Sequence, residues 1–230
     1  MKINQIRVKI YLLKNIKYND IQTEISRYID ETMSKNESFL NLHQRNEFKN
    51  YCFDSFYPIE EDKVYKEGRM YTFTIRTTND NLATFLTKEM ANNFNDSIKG
   101  ITTEAKIIPK KFIEKIYTLT PIIIKTDSGY WKGNLSLDDF ERRIKENLIK
   151  KYNEINNTKI EEDFELYDSI EFKNKKPVSI NYKNIKLLGD KIAINISSEP
   201  LAQELAYLSL GTGLGEMNSR GLGYVNYRWI

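Results

Sequence analysis

Gly68-Arg69-Met70-Tyr71-Thr72-Phe73-Thr74-Ile75-Arg76-Thr77, continued by Asn79-Asp80-Asn81 and then Leu82, Phe85, Leu86, Met90 and Phe94, is the stretch on which the fold turns. Tyr71, Phe73 and Ile75 alternate with Thr72, Thr74 and Arg76, the period of a strand with one buried face. The asparagine and aspartate side chains that follow are helix-capping residues, and the apolar spacing after them is helical up to Gly100. Ile101 to Ile108 then reads as another strand. The aromatic residues of Met70–Thr77 are expected to pack a core, since the surrounding sequence lacks the full signature of a base-stacking sheet.

Upstream, Ile3 to Leu13 alternates like a strand, and Ile21, Ile25, Tyr28, Ile29 and Met33 follow at helical spacing. A polar stretch from Ser34 to Asn50 leads to the aromatic-rich run Tyr51–Tyr57, which Pro58 ends. The order is strand, helix, two strands, helix, strand: the βαββαβ order of a ferredoxin-like domain, with two helices on one face of an antiparallel sheet.

The same order returns downstream without sequence identity between the halves. Phe112–Thr126 reads as a strand, Leu137–Ile155 as a charged helix carrying Phe140, Ile144 and Leu148, and Phe164–Ile196 as strands broken at Pro177 and Gly189. Pro200 suits a helix first turn ahead of Leu201, Leu205 and Leu208, and Tyr224–Trp229 reads as the last strand. The expectation is an α+β chain of two tandem ferredoxin-like domains, residues 1–115 and 116–230, in keeping with 230 residues and about 100 to 120 per domain. The charged run Lys145–Asp163 reads as a solvated helix face and is assigned no role.

Composition narrows the function. A single cysteine, Cys52, excludes an internal disulfide, and a single histidine, His43, excludes a multi-His or multi-Cys zinc site. No metal or other cofactor is expected. The apolar runs are too short to span a membrane, and the N-terminus lacks a signal-peptide pattern, so a cytoplasmic protein is expected. A net charge of +3 by itself identifies no polyanionic partner.

The strongest local signal is Gly211, followed by Gly213-Leu-Gly215-Glu-Met-Asn218-Ser219-Arg220-Gly221-Leu-Gly223, which holds half of the chain's ten glycines. Clustered glycines allow positive φ and close approach, so successive N–H groups can face one concavity and hold phosphate oxygens, with Arg220 as a planar cation. The loop follows a helix and precedes a strand, and it lacks Gly-Lys-Ser/Thr, which argues against a nucleoside triphosphate site. The plain alternative is a tight helix-to-strand connector.

The spacing GxGxxxxxGxG before a final strand resembles the glycine-rich loop of the CRISPR-associated repeat-RNA endoribonucleases, members of the RAMP superfamily. Leu42-His43, then Phe48-Lys49-Asn50-Tyr51-Cys52-Phe53-Asp54 and Tyr71-Thr72-Phe73-Thr74-Ile75-Arg76, resembles that family's N-terminal segment, so the likeness spans both halves. The resemblance implies a tandem ferredoxin-like fold and metal-independent cleavage of the precursor transcript within each CRISPR repeat. It implies His43 as the catalytic histidine, joined by Tyr28 and Lys49, and RNA contact at Gly211, Gly213, Gly215, Asn218, Ser219, Arg220, Gly221 and Gly223. Handover of the product to a CRISPR interference complex is a further implication, and a homodimer is left open. The chain departs from the family at Met217, where a lysine is common, which leaves Arg220 as the loop's expected cation.

The chemistry is self-consistent. RNA carries its own nucleophile, the 2′-hydroxyl, so scission needs its deprotonation, charge stabilisation at phosphorus and protonation of the 5′-oxygen. An imidazole serves either proton transfer, and an ammonium neutralises the phosphorane. A non-catalytic RNA-binding subunit of the same superfamily and a structural ferredoxin-like protein with no RNA role are the alternatives. Lys106, Lys110, Lys111, Lys115, Lys173, Lys175 and Lys176 are further candidates for backbone contacts.

Overall fold

The computed structural model describes residues 1–44, 48–183 and 185–230, and of residues 42–44 the backbone only. In chain order the first half contains β1 (Ile3–Leu12), β2 (Ile16–Lys17), α1 (Ile21–Met33), α2 (Glu37–Gln44), β3 (Tyr51–Phe53), β4 (Val64–Tyr65), β5 (Met70–Thr77), α3 (Asp80–Glu89) and β6 (Ile98–Ile108). The second contains β7 (Ile113–Thr118), α4 (Leu137–Asn156), β8 (Tyr167–Phe172), β9 (Val178–Tyr182), β10 (Ile185–Gly189), β11 (Ile192–Ile196), α5 (Pro200–Thr212) and β12 (Val225–Trp229).

Each half forms a four-stranded antiparallel sheet, in the orders β3-β5-β1-β6 and β12-β7-β11-β8. In both, the first strand of the unit lies between the third and the fourth, which is the ferredoxin-like arrangement read from the sequence. The register of β1 against β5 sets Ile6 opposite Ile75, Val8 opposite Phe73 and Ile10 opposite Tyr71. Those side chains form one core with Ile25 and Ile29 of α1 and Leu82 and Leu86 of α3. The second core gathers Ile116, Ile192 and Ile194 with Phe140, Ile144 and Leu148 of α4 and Leu205 of α5.

Capping follows the sequence logic: Asn79 accepts from the Leu82 amide at 3.0 Å and Ser136 from the Asp139 amide at 3.0 Å. Several boundaries differ from expectation. The polar stretch 34–50 contains α2. The strand from Tyr51 stops at Phe53, and the one expected over Phe112–Thr126 stops at Thr118, ahead of Pro121. Gly100 lies inside β6, where a Cβ would sit 1.9 Å from the Met90 carbonyl oxygen; it serves close approach and not a helix stop. The division drawn at 115/116 cuts β7, and the link between the sheets is residues 109–112.

The two halves share α5. Most of it is buried, namely Ala202 and every residue from Leu205 through Thr212, as expected for a helix whose last turns are apolar on nearly every side. Ile3 of β1 joins the second core, and Gly211 lets α5 close on it, since a Cβ there would lie 2.7 Å from Ile3 Cδ1. Arg76 of β5 closes the seam. Its Nη1 donates to the Val225 carbonyl at 2.7 Å, its Nε to Gln5 Oε1 at 2.9 Å, and its guanidinium lies 4.6 Å from the Tyr224 ring centroid.

Beside this seam, Asp54 Oδ1 accepts from the Thr74 amide at 2.6 Å. Burial pushes its carboxyl from an ordinary 3.8 up to about 7, against the pull of Thr74 and Arg76. Across that window the folded protein holds a proton that the unfolded chain has released, so stability falls as pH rises from 3.8 to about 7 and levels off above it. Asp54→Asn keeps an acceptor for Thr74 and removes the titration. It is expected to gain stability over the wild type between pH 5 and pH 8, measured by urea denaturation at both; an equal difference at the two pH values would count against this account.

Candidate functional site

The glycine loop begins where α5 ends. Gly213, at φ +73°, turns the chain back, and the Leu214 amide donates to the Gly223 carbonyl at 2.8 Å. The Gly223 amide donates to Pro121 O at 2.8 Å, and the Glu216 amide to Ile123 O at 3.0 Å, so the loop is sewn to the segment after β7. Asn218 closes it from inside, its Nδ2 donating to the carbonyls of Leu214 and Leu222, each at 2.9 Å.

At the loop's centre lies a residue to which the sequence reading gave no role. Lys151 of α4, 4% exposed, reaches in from the charged run. Its Nζ donates to Gly213 O at 3.0 Å, Gly215 O at 3.0 Å and Asn218 Oδ1 at 2.7 Å. An ammonium has three hydrogens, and here each finds an oxygen. Burial lowers the Lys151 pKa to about 7, against the opposing pull of Cys52 and Glu216.

This arrangement narrows the expected phosphate cradle. The carbonyls of Gly213 and Gly215 point inward, while the amides of Gly213, Leu214, Glu216, Arg220, Gly221 and Gly223 donate to protein carbonyls. The glycines answer to packing: a Cβ on Gly223 would lie 1.9 Å from Leu214 O, and one on Gly221 would lie 2.4 Å from Phe53 Cε2. The loop is built around a cation of its own.

Its outer side meets α1. Arg220 Nη1 pairs with Asp30 Oδ2 at 2.6 Å, so the guanidinium expected to serve phosphate alone already has a carboxylate partner. Gln22, Ser26 and Asp30 lie at four-residue intervals on α1, a polar stripe in which Gln22 underlies Gly221 and Asp30 meets Arg220. Tyr28 lies two positions from Asp30 and therefore on the opposite side of the helix. It is 0% exposed, and its hydroxyl donates to the carbonyls of Met90 at 2.5 Å and Asn93 at 3.1 Å. The structure gives Tyr28 a place in the core, away from solvent, and does not bring it together with the loop.

Loop, α4 and the segment leading into β3 enclose an open basin of about 380 Å³. Lys49, Lys125, Ser219 and Arg220 line it, with Lys151, Phe48 and Tyr182. Of the residues singled out from the sequence, Lys49, Gly215, Asn218, Ser219 and Arg220 thus share one cavity, whereas Gly211 lies against Ile3 in the seam. The backbone of His43 lies in α2; its side chain falls outside the described residues. The lysine candidates elsewhere do not line the basin: Lys110 pairs with Glu204, Lys173 with Glu171, and Lys111 lies over the Trp229 ring. Among the described residues no three His, Cys, Asp or Glu side chains group as a metal site would require, and no helix is long and apolar enough to cross a membrane.

A family model described as "CRISPR associated protein Cas6, C-terminal" matches residues 103–227, more than half of the chain. No curated protein sequence matches. A solved structure described as "CRISPR associated protein Cas6" superposes with a TM-score of 0.70 at 22% identity, covering 98% of this chain and 99% of that one. "An RAMP protein binding different RNA substrates" gives 0.73 at 20% identity over 98% and 99%. A structure from "Characterization of a Cas6-related gene from Pyrococcus furiosus" gives 0.71 at 19% over 99% of each. At such identities the likeness is one of fold, that of tandem ferredoxin-like domains.

Replacing Lys151 by methionine is expected to destabilise the protein by about 2–4 kcal/mol, because it leaves buried oxygens of the loop without a donor. The exposed neighbour Lys150→Met is expected to stay within about 0.5 kcal/mol of the wild type. Urea denaturation of both variants makes the comparison, and equal midpoints would remove Lys151 as the loop's anchor.

Proposed function

The chain belongs to the Cas6 family of CRISPR-associated proteins, and from that premise we propose that it is a metal-independent endoribonuclease that cuts CRISPR precursor RNA within the repeat. The observation that carries this reading is the basin itself: Lys49, just beyond α2, faces the glycine loop of the other domain across one cationic cavity that also holds Lys125 and Arg220. Such a cavity suits a phosphodiester crossing from one domain to the other.

In this reading the RNA's 2′-hydroxyl attacks the adjacent phosphorus and the 5′-oxygen leaves, giving a 2′,3′-cyclic phosphate or the phosphate end derived from it. His43, on α2, moves a proton at the attacking or the leaving oxygen. Lys49 neutralises charge that develops on the phosphorane. Ser219 and Arg220 hold the neighbouring phosphate, Arg220 with its charge shared with Asp30. Tyr28 has no part in the step, since its hydroxyl is committed to the Met90 and Asn93 carbonyls.

One observation favours a second reading, an RNA-binding RAMP subunit that does not cut: two cations of the loop region, Lys151 and Arg220, are engaged inside the protein. Repeat RNA incubated with the protein in EDTA separates the two. Cleavage is expected to persist with the metal chelated, to fall by about 10²- to 10⁴-fold in His43→Ala, and to vanish when the nucleotide at the cut carries 2′-deoxyribose. Scission of the deoxy substrate, or an undiminished rate in His43→Ala, would remove the mechanism. Salt-sensitive binding with no cleavage would establish the second reading.

A further inference from the structure

We propose that the groove between the β9–β10 hairpin and the segment 125–130 is a subsite for one unpaired nucleobase of the RNA strand whose backbone crosses the basin. The proposal rests on the RNA-binding reading above and adds to it where a base is held.

The groove encloses about 620 Å³. Ile185, Leu187 and Leu188 of β10 form one wall, Tyr130 stands in the other, and Ile123 and Met217 lie beneath. Ile185 is 58% exposed and Leu188 37%, so the wall leaves apolar surface in water. Neighbouring apolar side chains of this kind mark a binding surface more often than an accident of composition.

Position decides the occupant. Lys125, Tyr182 and Met217 line both the groove and the basin, so the apolar and the cationic cavities are neighbours with a shared wall. Single-stranded RNA has this same two-part character, an anionic backbone and flat bases that stack on aromatic and apolar side chains. Tyr182, on the shared wall, offers a ring between them. Lys125 and Lys186 line the groove against one acid, Asp127, and Lys183 Nζ lies 5.6 Å from the Tyr182 ring centroid, a charge balance that suits RNA.

Both walls are held in place. The Tyr130 hydroxyl donates to the buried Asp190 carboxylate at 2.6 Å, beside the Trp131 Nε1 bond to the same oxygen at 2.7 Å. The hairpin is tied to the N-terminal domain, with Asn181 Nδ2 donating to Asp20 Oδ1 at 2.7 Å and Thr23 Oγ1 to Asn181 O at 3.1 Å. Met217 also finds its reason here. It packs against the small cluster of Ile123, Ile180 and Leu222 under the hairpin, and an ammonium at this position would be set into an apolar floor.

The test uses the full chain and a set of repeat RNAs, each with one abasic nucleotide near the cut, with affinity read by fluorescence anisotropy. One abasic position is expected to weaken binding to the wild type by about 5- to 100-fold, the range of a single base–aromatic stack. Tyr182→Ala is expected to weaken binding of intact RNA by a similar factor and to add nothing on the RNA abasic at that position, while Tyr182→Phe binds like the wild type. RNA binding that is indifferent to every abasic position, or an effect of Tyr182→Ala that is the same on all of the RNAs, overturns the subsite and leaves the endoribonuclease reading standing. Absence of any RNA binding overturns both. Concentration-dependent self-association that Leu188→Glu abolishes without changing RNA affinity would assign the groove to a second copy of the chain instead.

Discussion

The site depends on one buried ammonium. Lys151 draws two main-chain carbonyls and the Asn218 amide oxygen toward a single point, and this decides which way the glycine loop faces. A loop closed on a cation turns its oxygens inward, so an anion is met on its outer surface, where the side chains of Ser219 and Arg220 lie. Asn218 completes the arrangement by accepting from Lys151 while donating to Leu214 and Leu222. Charge-assisted hydrogen bonds are about twice as strong as neutral ones, and a fully satisfied buried network of this kind fixes one conformation.

The second constraint is α5, the apolar helix that the two sheets share. Because it packs against β1, β3 and β5 as well as β7, β11 and β12, the loop at its end necessarily emerges at the seam. Gly221 can then lie against Phe53, and Arg220 can reach Asp30 on α1. Arg76 makes the return connection, from the first sheet to the β12 carbonyl of Val225. A basin lined by Lys49 from one domain and Ser219 from the other follows from this packing.

The elements with strong periodicity were legible. Met70–Thr77 and Ile21–Met33 have in the structure the limits their apolar spacing implies, because one buried face dictates every second or every third-to-fourth residue. Helix α2 was not, since Glu37–Gln44 is short and its few apolar residues, Phe39, Leu40 and Leu42, lie within a polar stretch. The glycine loop was legible as a motif but not in its chemistry: clustered glycines report close approach, and sequence does not say whether the approaching atom belongs to a phosphate or to Leu214 and Phe53. Tyr28 shared its periodic series with Ile21, Ile25 and Ile29, and that company was the better guide to its burial. Lys151 was hidden by its surroundings, Lys150 and Lys151 being alike in sequence and opposite in exposure. The one available signal was helical phase, since Lys151 lies seven residues after Ile144 on the buried side of α4.

Charge accounting explains how a chain with a net +3 can present a basin suited to a polyanion. Several of its cations are answered nearby: Arg27 by Glu24 and Asp96, Arg142 by Asp139 and Glu146, Arg228 by Glu114. Exposed pairs of this kind contribute little to stability, yet they flatten the field around them. The basin's lining holds Lys49, Lys125, Lys151 and Arg220 with one acid, Glu216, while Arg220 also meets Asp30 of α1. Glu216 lies 4.0 Å from the exposed Lys125, a loose pairing, and Lys151 adds a charge whose acceptors are neutral oxygens. With the Gly213 and Gly215 carbonyls turned toward that ammonium and six of the loop's amides spent within the protein, recognition rests largely on lysine and arginine side chains at the rim and on the apolar surface that adjoins them. Side-chain cations hold a phosphate without specifying a base. In the proposed RNA site, selectivity then rests on the neighbouring apolar wall, which is where Tyr182 and Met217 lie.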